Sequence, residues 1–585
     1  MPSSPPRKSA PTSATTGTTD SNSSPGKNYI PIPPSHPCEP SLDYDAIIKG
    51  GRIVDGSGNP WYKGDIAVTG EKIASITRFI KPEAEQVIDA TGLVVAPGFI
   101  DAHSHADSST LFYREMESIV AQGITTVVAG QCGSSIAPIN PDLREELEKR
   151  WAGWLPPEIE FGITWTTFEE YLREEEKDGL GANVAHLVGH GAVRVASMGF
   201  EARAPTAGEL EAMRGHVEEA MEAGAYGLST GLIYPPGIFA ETPEIVELAK
   251  VAARYCGVYD THIRGEGKTL MESLCEAIAI GKEADIPVQI SHHKAATKSF
   301  WGKSVDTLTL LEKVRIEGVD ITVDQYPYKA GSTSLVTCLS PWAHEGGMER
   351  LLERLKDPGL RLRIQGDIEG GLPGWENFAG ELGWENVYVT SVKTDENKYA
   401  EGTNLLEIQE HRGDADPYTS LFDMILEEEG AAGMVIFAMD EEDVRRIMRH
   451  PLQMVGTDSG ASGTTGYMRR GKPHPRGYGT YPRVLGRYVR ESGIITLEGA
   501  IRKMTSFPAQ RFGLHTRGLL IPGMQADIVV FNPETVIDTS TYQDPHQLPL
   551  GVDHVIVNGE LTVHESGPLG TLSGKTLRKD RDQSH

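Results

Sequence analysis

The sequence predicts an α/β protein: a closed (β/α)8 barrel with a small β domain built from both chain ends. Three observations point to it. Eight short apolar segments recur along the chain, and helical stretches separate several of them. Segments of that kind read as parallel strands buried on both faces, and eight of them with helical crossovers close naturally into a TIM-like barrel. The two ends instead show short β-rich runs with Gly-centred turns, each too small to be stable alone.

Taken in order, residues 1–42 are more than half Pro, Ser, Thr and Gly. Such a composition cannot offset its ordering entropy by burial, so a disordered tail is expected. It carries no apolar run of the signal-peptide kind, and its scarcity of Arg speaks against a transit peptide. From Tyr44, the stretch YDAIIKGGRIVDGSGNPWYKGDIAVTGEKIASI reads as β-hairpins. Residues 43–97 and 514–565 form the expected small β domain, the second part supplying ADIVVFNPE and VDHVIVNGELTV. Residues 98–513 form the barrel. Its strand segments are VVAPGFIDA, ITTVVAG, NVAHLVGH, AYGLST, GVYDTHI, IPVQISHH, VDITVDQY and LQMVGTDS, and TAGELEAMRGHVEEAMEAG and LMESLCEAIAIGKEAD are two of its helices. A stretch from about 341 to 450 is long for one connection and is expected to be a helical and irregular subdomain over the barrel mouth. Residues 566–585 are expected to be a C-terminal tail.

The bulk properties narrow the function. A chain of 585 residues exceeds what one core supports, which fits a large domain plus a smaller one. With 39% hydrophobic and 23% charged residues it has an ordinary globular composition. A formal net charge of −27 makes nucleic acid and anionic lipid poor partners. No apolar run reaches membrane-spanning length. The 5 scattered Cys argue against a disulfide framework and for a reducing compartment, the cytoplasm.

The chemistry lies at the strand ends. His103 and His105 follow the first segment, Cys132 the second, His262 the fifth, His292, His293 and Lys294 the sixth, and Asp458 the eighth. C-terminal strand ends of a parallel barrel converge on one face, where active sites are built. Residues i and i+2 of a strand share a side, so His103 with His105 can clasp one ion, and His292 shares a face with Lys294 while His293 points away. Imidazole and thiolate are ligands that Zn²⁺ prefers. Each feature has a bland rival: an HxH pair is more often structural, a buried Cys is usually an inert small hydrophobe, Asp458 suits a helix N-cap, and THIRGE suits a solvated loop. The conjunction favours the metal, because all these groups fall at strand ends and none in a helix.

At these residues the sequence resembles a known family. APGFIDAHSHAD resembles the first-strand signature of the amidohydrolase superfamily, and IIKGGRIVDGSGNPWYKGDIAVTGEKIASI with GLLIPGMQADIVVFNP resembles its split β domain. QCGSSIAP, STGLIYPPG and QISHHKA, with DQYPYKAGST and HPRGYGTYPRVLGRYVRE, are most similar to the N-acyl-D-amino-acid deacylases (D-aminoacylases). The resemblance spans about residues 44–562. It implies a zinc-dependent hydrolase that cleaves N-acyl-D-amino acids to a D-amino acid and a carboxylate. Cys132, His262 and His292 resemble the tight zinc site, and His103 and His105 a second, weaker one sharing the Cys132 thiolate. Asp458 resembles the general base and acid that acts on an activated water. Lys294, Tyr326, Ser332 and Arg476 resemble substrate-holding groups, and Tyr234 a pocket residue. Many cyclic-amide hydrolases of the superfamily use a carbamylated Lys on the fourth strand, but AYGLSTGLIYPPG has none, and Cys132 can replace that bridging anion. A related enzyme acting on a cyclic amide or another acylated amine is the alternative reading, and a non-catalytic barrel scaffold the remote one. The expected partner is a small-molecule substrate.

Overall fold

The computed structural model describes residues 44–81, 84–153, 155–156, 158–565 and 567–580, and the expected N-terminal tail lies outside them. Eight parallel strands form the barrel: β1 (Phe99–Asp101), β2 (Ile124–Ala129), β3 (Asn183–His186, resumed at Val188–Gly189), β4 (Gly227–Gly231), β5 (Val258–His262), β6 (Val288–Ile290), β7 (Ile321–Gln325) and β8 (Gln453–Val455). Each arises from one of the eight apolar segments. Lateral pairing runs β1-β2-β3 and then from the upper part of β3 through β4 to β8. The ring closes where β8 meets β1: Ala102 N donates to Val455 O at 3.2 Å and Asp458 N to His103 O at 2.8 Å.

The segment VVAPGFIDA serves two domains. Val94–Pro97 joins the small β domain, and Phe99–Asp101 opens the barrel. Gly98 makes the turn between them, where a Cβ would lie 2.2 Å from Thr125 Oγ1, so no larger residue fits. Val94–Pro97 pairs antiparallel with Ile528–Phe531, and this pairing joins the two ends of the chain in one nine-stranded sheet.

Helices cover the outside of the barrel. At the barrel mouth, α1 (Arg144–Ala152) follows β2 and α2 (His190–Met198) follows β3, and on the outside α3 (Ala207–Ala223) precedes β4. The last begins at a capping box between Thr206 and Glu209 and stops at Gly224, whose φ of 110° suits only glycine. Outward residues of β5–β7, such as Tyr259, Val288 and Val323, pack into the helix-facing core. Their alternate neighbours point inward and are polar, as strand periodicity requires. Asp260, Gln289, Thr322 and Asp324 are all buried there, and Gln289 donates to Asp324 at 2.8 Å. This differs from the uniformly apolar strands expected from the sequence.

The connection after β7 is expected to be helical and irregular. It also contains a three-stranded antiparallel sheet of Ala330–Ser334, Val387–Ser391 and Gly433–Phe437, so the insert starts before residue 341. In the expected C-terminal tail, Thr576–Leu577 pairs with Val184 and Ala185 of β3, beside the lower edge that β4 leaves open. Among the described residues no helix is long and apolar enough to cross a membrane.

Candidate active site

The strand ends bring the sequence-predicted groups together. Cys132 Sγ lies 3.4 Å from His103 Nε2, 3.7 Å from His262 Nδ1 and 3.5 Å from His292 Nε2. Two ligands of one tetrahedral zinc ion, with bonds of about 2.3 Å to sulfur and about 2.0 Å to nitrogen, stand about 3.5 Å apart. The thiol and imidazoles therefore have the chemistry and the spacing of a metal site. Both histidines of HSH reach the Asp458 carboxylate: His103 Nε2 is 3.6 Å and His105 Nε2 3.2 Å from Oδ1. His103, Cys132, His292 and Asp458 each offer a ligand atom within 4.8 Å of the others.

Backbone geometry aims three of these groups. Cys132, His292 and Asp458 adopt left-handed φ angles of 53°, 32° and 51°. For residues with a side chain this region costs free energy, and it persists where surrounding structure enforces it. Burial alone would raise the Cys132 thiol, yet the imidazoles of His103, His105 and His262 hold it well below the range of a free thiol. Burial likewise opposes charge on Asp458, but Arg476 and the neighbouring histidines hold its carboxyl well below the usual range.

The substrate candidates surround this centre. Arg476 Nη1 lies 2.7 Å from Asp458 Oδ2, and its guanidinium stacks 4.6 Å above the Tyr326 ring. Tyr234 sets its ring edge-on to His262 at 4.9 Å. Ser332 reaches Arg476 through its carbonyl at 3.2 Å, while its hydroxyl donates to Met434 O at 2.9 Å within the inserted sheet. Lys294 is buried and committed to Glu266, with its Nζ also 2.7 Å from His292 Nδ1. His293 turns away to Thr307, although β6 ends at Ile290, so the left-handed turn at His292 rather than strand alternation aims it. A cavity of about 530 Å³ opens onto His105, Cys132 and Asp458, with Arg476, Ser332 and Tyr234 in its wall.

The family model of the amidohydrolase family matches residues 86–563. A D-aminoacylase of Alcaligenes xylosoxydans xylosoxydans is 36% identical over 542 residues, covering 92% of this chain and 98% of its own. This chain belongs to the D-aminoacylase family of amidohydrolases. An N-acyl-D-glutamate deacylase of the same organism is 36% identical over 536 residues, covering 92% of this chain and 97% of its own. Among solved structures, an N-acyl-D-glutamate deacylase from Bordetella bronchiseptica, complexed with zinc and a phosphonate mimic of the tetrahedral intermediate, superposes with a TM-score of 0.75 at 34% identity, covering 92% of this chain and 99% of that one. A D-aminoacylase crystal structure gives a TM-score of 0.74 at 35% identity, with 92% and 100% covered.

Around these candidate ligands, this amidohydrolase has a shell of carboxylates that sequence reasoning missed. Glu266, in the THIRGEG stretch, is buried rather than solvated, and its Oε1 lies 3.1 Å from His292 Nδ1. A carboxylate there fixes the imidazole so that Nε2 faces the metal position. Asp324 Oδ1 is 3.4 Å from His103 Nδ1 and accepts from His292 N at 2.7 Å. Asp101 accepts from Thr457 N at 2.8 Å and Thr457 Oγ1 at 2.6 Å, fastening β1 to the end of β8. Glu376, from the insert, accepts from the backbone N–H groups of Glu266 and Gly267 at 2.8 and 3.0 Å. Asp101 and Asp324 had a legible signal, a lone acid inside an apolar strand, which burial permits only with partners. Glu376 had none.

Proposed function

We propose that this protein is a zinc-dependent N-acyl-D-amino-acid deacylase, releasing a D-amino acid and a carboxylate. The observation that carries the reading is the convergence of the Cys132 sulfur and the His103, His262 and His292 imidazoles beside an Asp458 carboxylate paired with Arg476. Cys132, His262 and His292 would hold the tighter ion, and His103 and His105, with the shared thiolate, a weaker one. Bound zinc supplies a Lewis acid and lowers the pKa of water toward about 7.

The chain's own residues do the rest. Asp458 Oδ1 takes the proton of the attacking water as general base and returns it to the leaving nitrogen as general acid. Arg476, held flat by Tyr326, binds the substrate carboxylate, with Lys294 adding positive charge and Ser332 shaping the wall. Tyr234, edge-on to His262, lines the pocket for the amino-acid side chain. Specificity for the D-enantiomer and for a linear amide rests on the likeness to the deacylase relatives and on the lack of a Lys in β4. A reducing location, the cytoplasm, suits a site built on a free thiol, and Cys132, Cys256, Cys275 and Cys338 are all unbridged.

A panel of N-acetyl-D- and N-acetyl-L-amino acids, assayed with and without a chelator, tests the reading. Chelator-sensitive release of D-amino acids is expected. Turnover of hydantoins with none of the linear amides would favour the cyclic-amide alternative.

A further inference from the structure

We propose that the preferred substrates carry a long alkyl acyl group, seated in an apolar arm of the cavity on the β2–β4 side of the barrel mouth. The inference rests on the deacylase reading and specifies its substrate. An N-acetyl amino acid has only about a dozen heavy atoms, whereas a cavity of about 530 Å³ is of the size that holds a drug-sized ligand.

Strand order divides the mouth into two halves. Lys294 follows β6 and Tyr326 follows β7, and Arg476, first residue of the helix Arg476–Arg483, stacks on Tyr326; these are the groups assigned to the carboxylate end. β2, β3 and β4 lie across the barrel from them. From that opposite half the cavity wall receives Ile136 and Ile139 after β2, Trp151 of α1 with Phe161 beyond it, and Val195 of α2 with Phe200 beyond it. All six are apolar, and the Trp151 and Phe161 rings meet edge-on at 5.6 Å. Arg150, a cation in the same wall, lies with its guanidinium 5.6 Å over the Phe200 ring. An amide carbonyl carbon bears its nitrogen on one side and its acyl substituent on the other. With the amino-acid end held by Arg476, the acyl substituent is directed toward β2–β4. An arm of that composition rewards each methylene it buries and offers little to an acetyl group.

The test is a series of D-alanine derivatives, N-acetyl, N-butanoyl, N-hexanoyl and N-decanoyl, kept below micelle-forming concentrations. The zinc-loaded full chain should show kcat/KM rising about four-fold per methylene until the arm fills, from the usual worth of a buried CH₂. Octanoate should inhibit more strongly than acetate. A flat or falling series, with N-acetyl-D-alanine still hydrolysed, would overturn the inference and leave the deacylase reading standing. A gain from lengthening the side chain of an N-acetyl-D-amino acid, with none from lengthening the acyl group, would overturn it equally. No turnover of any member would overturn both.

Discussion

Arg476 Nη1 stands 2.7 Å from Asp458 Oδ2, so the proposed base and the proposed carboxylate-binding cation form one buried ion pair. A substrate carboxylate must share that guanidinium, and the planar, five-donor group of Arg can offer it a second, bidentate edge that a Lys ammonium lacks. Arg476→Ala is expected to raise KM for N-acyl-D-amino acids by about 10- to 100-fold, the usual worth of a charged hydrogen bond. Arg476→Lys should recover only part, since stacking on Tyr326 is lost. Steady-state kinetics on the acid and on its C-terminal amide checks this. An equal effect on both would remove Arg476 from carboxylate binding.

Asp458→Asn and Cys132→Ala should separate chemistry from metal binding. The first removes the proton acceptor and is expected to lower kcat by about 10²- to 10⁴-fold while zinc stays bound. The second removes the thiolate shared by the imidazoles and is expected to strip the tighter ion. Metal analysis on both purified variants decides. Full zinc in Cys132→Ala would overturn the ligand assignment.

Glu266 orients His292 without facing the cavity. Glu266→Gln weakens that support, and zinc affinity should fall by about 10- to 100-fold, as for other carboxylates behind ligating histidines. Competition against a chromogenic chelator measures it, and unchanged affinity would make Glu266 a partner of Lys294 alone.

Glu376 should leave a pH signature. Burial pushes its carboxyl up to about 7, against the lowering effect of the Gly267 and Glu266 N–H bonds, from an ordinary 4.5. Between those values the folded state keeps a proton that the unfolded state has lost, so stability falls as pH rises through that window. Above about 7 the whole cost is present, with a ceiling of ~3 kcal/mol. Glu376→Gln still accepts both N–H bonds, so its gain in Tm should be larger at pH 8 than at pH 5. Glu376→Ala should instead lose stability at both. An equal Tm difference for Glu376→Gln at the two pH values would show that Glu376 does not titrate there.

The barrel was legible because each strand is an apolar run ended by turn chemistry, and the proposed ligands stood out because they follow those runs directly. Cys132 and His292 sit in such positions, and the HSH spacing marked the first strand. The carboxylate shell was harder to read. Asp260 and Asp324 stand out as acids within otherwise apolar runs, but only strand alternation shows that they turn inward. Glu376 comes from a loop of the insert, 110 residues from the Glu266 N–H it holds. No local pattern encodes a contact of that separation. Lys294 was legible as a residue on the His292 face, but not its pairing with Glu266, which depends on how the following loop folds back.

The pairing of Thr576–Leu577 with β3 bears on how the chain is made. Lys575 N donates to Asn183 Oδ1 at 3.1 Å, across 392 residues. At ~5–20 residues per second, a ribosome takes about 20–80 s to cover that distance. During that interval the lower edge of β3 has no C-terminal strand to cover it, although its own residues have long been synthesised. The barrel therefore completes its hydrogen bonding only once residues 575–577 have been made, and a nascent chain stalled before residue 575 would present an open strand edge to chaperones or to other chains.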